Sequence, residues 1–198
     1  PQPLEAGANR VWVTPALAPG VTFIHTWTFT PAGYGFPADA HTAVALADWA
    51  EQVAETNEDN NRRGATWAIY DLLVSGLTIS PQSGDANTAR TVTCVVKNIG
   101  GGTTPETRTA LWLKRTSSPQ PLETGANRLW VTKPLIRMET VTLTWTFTPK
   151  TYGLAVGSHT AVALADWAQQ AAEGSETNNN RGYTWQLTAT KAPPGGSD

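Results

Sequence analysis

The chain has 198 residues, of which 40% are apolar and 15% charged, with a formal charge of −2 and an isoelectric point near 5.9. That balance excludes a basic nucleic-acid-binding surface, no apolar run is long enough to span a membrane as a helix, and the single cysteine, Cys94, excludes an intramolecular disulfide framework. The charged share lies well below the roughly 25% of an average soluble domain, and Thr, Ala and Gly take its place, a mixture that suits exposed sheet better than solvated helix.

From the N-terminus the first recognisable feature is a repeat. PQPLEAGANRVWVT at 1–14 returns as PQPLETGANRLWVT at 119–132, TWTFTP at 26–31 returns at 144–149, and HTAVALADWA at 41–50 returns at 159–168. Every match is offset by 118 positions, residues 1–70 align with 119–188 without a gap, and 42 of those 70 positions are identical. Trp12, Trp27, Trp49 and Trp67 fall on Trp130, Trp145, Trp167 and Trp185. This period exceeds the roughly 20–50 residues of a solenoid unit and is about the size of one β-sandwich domain. Residues 1–70 are therefore expected to be the back part of a repeat, supplying four strands with one apolar face uncovered. Residues 71–190 are expected to be a complete repeat, and the chain reads as a piece of a longer repetitive protein. Within 43–55, AVALADWAEQVAE is rich in helix formers, and a strand to Asp48 followed by one helical turn is expected. Trp67-Ala-Ile-Tyr70 then runs into Asp71-Leu-Leu-Val74 with no Gly, Ser or Pro spacer, which predicts a stiff junction.

The complete repeat has the period of strands. Strand 71–79 comes first, followed by one in which Val92, Cys94 and Val96 alternate with Thr91, Thr93, Val95 and Lys97. Gly100-Gly-Gly102 is expected in a hairpin; it does not open a helix, which argues against a phosphate cradle. Strands at 108–115 and 128–132 follow. In 140–148 Val141, Leu143, Trp145 and Phe147 share one face while Thr occupies every position of the other, the pattern of a half-buried antiparallel strand. Strands at 158–166 and 182–190 complete the set, and 191–198 is a Pro, Gly and Ser-rich linker or tail. About seven short strands per full repeat, without a long helix, predict an all-β chain of tandem immunoglobulin-like or fibronectin-III-like β-sandwich domains.

DLLVSGLTISP, VTCVVKNIGGGTTP, LWLKR, TWTFTP, and ALADW followed by E-x-x-E-x-N-N resemble the CARDB family, cell-adhesion-related domains found in bacteria. The opening D-L-x-V and the closing E-x-x-E-x-N-N are the more specific parts. The resemblance covers the full repeat and the back part of the first. It implies an immunoglobulin-like sandwich, usually in tandem on secreted or surface proteins of prokaryotes, acting as spacer or adhesion module without catalytic residues.

Two sets of residues could carry chemistry. Asp48, Glu55, Glu58, Asn60 and Asn61, repeated as Asp166, Glu173, Glu176, Asn178 and Asn179, place hard oxygen donors close together, as Ca²⁺ requires. The alternative is that Asp and Asn shape turns. Trp49, Trp67, Trp167 and Trp185 lie near strand ends, where exposed rings could stack on glycans; packing is the alternative. Cys94 lies on an apolar strand face, as an inert core residue would. No G-x-S-x-G, H-E-x-x-H or paired cysteine is present, so no enzyme is expected. The expected function is a non-catalytic extracellular or cell-surface structural repeat protein, a filament subunit or stalk that self-associates through neighbouring repeats, including by strand complementation. The competing function is an accessory glycan- or protein-binding module of a larger secreted protein.

Overall fold

Alternating apolar and Thr side chains cannot bury one face without a second layer, and an extended backbone cannot satisfy its N–H and C=O groups without neighbouring strands. In the computed structural model, which describes residues 7–190, both demands are met in one part of the chain and only partly in the other. The chain divides into two compact units: residues up to Phe36 with His41–Trp67, and Pro37–Ala40 with the chain from Ala68 onward. The 191–198 linker or tail lies outside the described residues.

The first unit holds a two-stranded sheet of β1 (Ala40–Leu46) and β2 (Arg62–Ala68), preceded by a 3-10 turn at Pro31–Tyr34. The second contains β3 (Leu72–Ser80), β4 (Ser83–Gly84), β5 (Arg90–Asn98), β6 (Thr107–Trp112), β7 (Arg128–Thr132), β8 (Thr140–Phe147), β9 (Gly157–Leu164) and β10 (Asn180–Leu187). Its strands form a three-stranded sheet, β3-β5-β8, and a five-stranded sheet, β4-β10-β9-β6-β7. The chain is all-β, with two single 3-10 turns as its helical content among the described residues. No helix there is long and apolar enough to cross a membrane.

In β8, Leu143 and Phe147 are buried and Thr142, Thr144 and Thr146 are exposed, so the period-two reading holds. Cys94 pairs with Leu143 and Val92 with Trp145. Leu72, Ile79, Val92, Val96, Leu111, Leu113, Leu135, Trp185 and Leu187 close a core shared by both sheets. Cys94 is fully buried, which pushes its thiol up to about 12 and leaves it inert.

Two polar devices join the layers. Trp130 Nε1 of β7 donates to the Thr144 carbonyl of β8 (3.1 Å). Arg90, wholly buried at the start of β5, donates to the carbonyls of Pro81 (2.6 Å), Gly84 (2.8 Å) and Gln186 (2.9 Å). Its guanidinium lies 4.8 Å from the Trp185 ring centroid, so three carbonyls and an aromatic face replace its lost water.

Three expectations are corrected here. Residues 99–106 do not form a hairpin: β5 pairs with β3 and β8, while β6 pairs with β7 and β9, so the Gly100–Gly102 segment crosses from one sheet to the other. The described residues of 1–70 supply two strands, not four. The positions matching β7 and β8, 10–14 and 22–29, are not strands. In the second unit β8 bonds only β5, and β7 bonds only β6; residues 1–70 contain no counterpart of either partner. The counterparts of β9 and β10 pair with each other, and they are the two strands that form. Side chains follow the backbone: Leu17 is 44% exposed where Leu135 is 0%, and Trp12 is 38% exposed where Trp130 is 8%. The third correction concerns the expected helical turn after Asp48, described below.

Hydrogen exchange reads the missing ladder directly. Amides of β8 bonded to β5 should exchange at least about a thousandfold more slowly than amides of 22–29, since ordered ladders open only at close to the global unfolding cost.

Candidate functional site: a carboxylate and amide clasp

The segment after β9 begins with an aspartate in the left-handed region. Asp166 has φ 43°. Its carbonyl accepts from Gln169 N (2.9 Å), and its carboxylate accepts from the backbone N–H of Gln170 (2.8 Å) and Ala171 (2.9 Å). Asp48 does the same at φ 41°, with Glu51, Gln52 and Val53. A positive φ cannot continue a right-handed helix, and the carboxylate supplies the turn's acceptors. The alanine-rich composition is overridden by one side chain.

The chain then folds back on the start of its own repeat. Gly174 N donates to the Tyr70 carbonyl (2.8 Å), and Glu173 bridges Tyr70. The Leu72 backbone N–H bonds the Glu173 carboxylate. Asn178 Nδ2 donates to Asp71 Oδ1 (2.7 Å), and Asn179 Nδ2 donates to both Glu173 Oε2 (2.7 Å) and Glu176 Oε2 (3.0 Å). Gly100 passes so close that an added Cβ would sit 2.6 Å from Asp71 N and from the Ile69 carbonyl oxygen, so a larger residue would displace the strand start. The opening D-L and the closing E-x-x-E-x-N-N, more than a hundred positions apart, are two halves of one clasp.

The clasp is electrostatically unbalanced. Burial pushes the Glu173 carboxyl up to about 8; the Glu176 and Asp166 charges add to this, and the bonds from Asn179 and Leu72 oppose it. Burial also raises Asp166, against its two backbone bonds, and Asp71, against its bond from Asn178. Glu176 is raised by burial and by Asp166 and Asp71. Three buried oxygens, Glu173 Oε1, Asn178 Oδ1 and Asn179 Oδ1, have no hydrogen-bond partner. Among the described residues no group of three or more His, Cys, Asp or Glu is arranged to hold a metal ion.

The structure thus brings Asp166, Glu173, Glu176, Asn178 and Asn179 together around Asp71. In the first repeat Asn61 Nδ2 reaches Glu58 Oε2 (2.9 Å) and Glu55 N reaches Glu58 Oε1 (3.1 Å). Glu55, Thr56, Asn57, Asn60 and Asn61 line an open depression of about 380 Å³, and residues 51–60 are all exposed. Asn60 there has no counterpart of Asp71 to hold.

The four tryptophans separate. Trp185 is fully buried, with Nε1 donating to the Leu113 carbonyl (3.1 Å), Phe147 edge-on at 5.8 Å and His159 at 4.9 Å; it offers no face to a ligand. Trp167 is half-buried against Ala110, Trp112 and Leu164, and donates to the Glu123 carbonyl (3.0 Å). Trp67 is half-buried among Phe29, Phe36 and His41, and Trp49 is half-buried. Two polar residues escaped the sequence reading. Asp71 had a signal in the D-L opening beside the period boundary. Arg90 had none, since one arginine at a strand start is ordinary.

The CARDB family model matches residues 69–182. The chain belongs to the CARDB family. CARDB domains are cell-surface-associated and adhesion-related. Among solved structures, the chain is similar to the CARDB domain of a Pyrococcus furiosus protein solved in complex with di-metal ions, at 22% identity over 64% of this chain and 100% of that one, TM-score 0.49. A domain of a protein assigned to the cell surface of Methanosarcina acetivorans matches at 19% identity over 60% and 92%, TM-score 0.46. A β-glucosidase from Listeria innocua matches at 14% identity over 64% of this chain but 17% of the enzyme, TM-score 0.39. No curated protein matches the chain.

Two substitutions test the clasp. Asp71→Ala, which leaves the half-buried Asn178 amide without its acceptor, should cost about 1–3 kcal/mol of second-unit stability in denaturant titration. Glu173 holds its proton more tightly folded, near 8, than at its ordinary 4.5. Its contribution is therefore fully present below about pH 4.5 and lost as pH rises through about 8. Glu173→Gln should flatten that decline in melting temperature between the two pH values, measured in the presence of a chelator.

Proposed function

We propose that this chain is a non-catalytic extracellular structural protein, a filament or cell-surface stalk subunit made of tandem immunoglobulin-like β-sandwich CARDB repeats. The observation that carries the reading is the contrast between repeats: residues that line a closed core in the second present an open face in the first. Trp12 is 38% and Leu17 44% exposed, where their counterparts Trp130 and Leu135 are core residues, and they stand beside the half-buried rings of His25, Trp27 and Phe29. Such a face is a site of association. The family's surface-associated, adhesion-related character supports the location. Support for a non-catalytic role comes from the clasp carboxylates, which are committed to backbone and amide donors, and from His159, which is buried against Trp185 with Nε2 on the Ala155 carbonyl (2.8 Å).

The natural occupant of the open face is a front segment like 71–118, seated as β5 sits on β8. Self-association would supply such a segment from a neighbouring copy of the chain. A second reading, an accessory glycan- or protein-binding module, draws on the same rings.

Analytical ultracentrifugation separates the two. The 198-residue chain should associate with rising concentration, and joining a second copy of residues 71–118 ahead of Pro1 should suppress association and blue-shift the tryptophan emission. A chain that stays monomeric, with emission unchanged by the added segment, would remove the self-associating reading and favour the binding module.

A further inference from the structure

The two repeats differ by one residue type at the centre of the face that the first leaves open. His25 stands where the second repeat has Leu143, a core residue. Leu143 lies directly opposite Cys94 of β5, with Trp145 opposite Val92 and Phe147 opposite Arg90. A front segment seated on 22–29 in the same register therefore covers Trp27 and Phe29 and sets the fifth residue of its β5 against His25. Uncovered, the face can hold an imidazolium. His25 is half-buried, stacks on Trp12 with ring centroids 5.5 Å apart, and meets Phe23 edge-on at 5.0 Å. Its Nε2 shares a hydrogen bond with Thr14 Oγ1 (3.0 Å). A cation against a tryptophan face is favourable, and water reaches the rest of the ring.

Covering the face changes those surroundings. The core around Leu143 contains no Asp or Glu. A seated β5 brings Cys94, whose thiol burial pushes up to about 12 and so keeps neutral. It also brings two cations, Arg90 opposite Phe29 and Lys97 opposite Thr22, by the pairing of β5 with β8. From the rest of the first unit the run of rings through Trp27, Phe29 and Trp67 adds Tyr34 and His41. None of these supplies a negative charge, and an imidazolium buried without one is costly. We infer that His25 gates the open face by its protonation: a front segment covers the neutral ring, and the protonated ring keeps the face open. The inference rests on the strand-complemented reading proposed above. The sign follows from the two states. The covered state disfavours the proton that the open state can bind, so covering is fully favoured above the ordinary imidazole value of about 6.5 and weakens as pH falls below it.

The test uses the full chain extended by a second copy of residues 71–118 ahead of Pro1, and its His25→Leu variant. Urea titrations of tryptophan emission at about pH 7.5 and about pH 5.5, one unit either side of the ordinary imidazole value, give the closing constant of the first repeat, with the unextended chain as baseline. That constant should be about tenfold smaller at the lower pH, where about a tenth of an ordinary imidazole is neutral. His25→Leu, which installs the second repeat's residue, should abolish the difference and leave the repeat closed at both values. Glu173 also titrates across this range, but it is common to both chains, so only the difference between them is read. Equal closing constants at the two pH values, or a difference that survives His25→Leu, would overturn the inference and leave the strand-complemented reading standing. An extended chain with no blue shift at either pH would remove that reading and the gate with it.

Discussion

A β-strand exists only where another strand accepts its backbone hydrogen bonds, and this chain displays the rule twice with nearly the same sequence. β5 is the hub of the second unit. It pairs along its length with β3 on one side and β8 on the other, and its first residue, Arg90, reaches across to β10. With β5 in place, the Thr-faced segment 140–147 becomes a strand and buries Leu143 and Phe147. Without its counterpart, the segment 22–29 keeps the same TWTF core, with Ile24 where β8 has Thr142 and His25 where it has Leu143, yet stays irregular and half-exposed. Local pattern is permission; the partner is what converts it into structure.

The clasp extends this dependence from strands to the repeat as a unit. Asp71 and Leu72 are held by Asn178 and Glu173, and the approach of Gly100 to the Asp71 backbone brings the β5–β6 crossing into the same corner. The beginning, the inter-sheet crossing and the final loop of the repeat thus meet at one pole. Each repeat can then close on itself through short hydrogen bonds between its own first and last elements, a sensible arrangement for a module used in series.

Much of this was legible in the residues. The threonine face of β8, the valines around Cys94 and the period of 118 residues mark strands and the repeat without any coordinates. What was not legible depended on distant partners. Alternation in 90–98 and 107–112 cannot say that the two strands belong to different sheets, so the glycines between them read as a hairpin. Helix formers after Asp48 mislead because a single carboxylate captures two backbone N–H groups. The five acidic and amide positions are visible because they occur twice; Asp71, their partner 107 positions away, occurs once and is visible only beside the boundary of the period. Trp185 and Trp167 look alike in sequence and differ in burial because Trp185 faces the closed core, whereas Trp167 follows the turn.

The parallel pairing of β4 with the end of β10 has a mechanical meaning. Gln186 and Leu187 align with Ser83 and Gly84, and Thr188 N donates to the Gly84 carbonyl (2.9 Å). The repeat begins at Asp71 beside the clasp, while its last strand runs from the clasp to the opposite end. A pull on those two ends slides β10 along β4 instead of peeling it away. All the hydrogen bonds of the pair then carry load together, with the buried arginine at the same corner as a further tie.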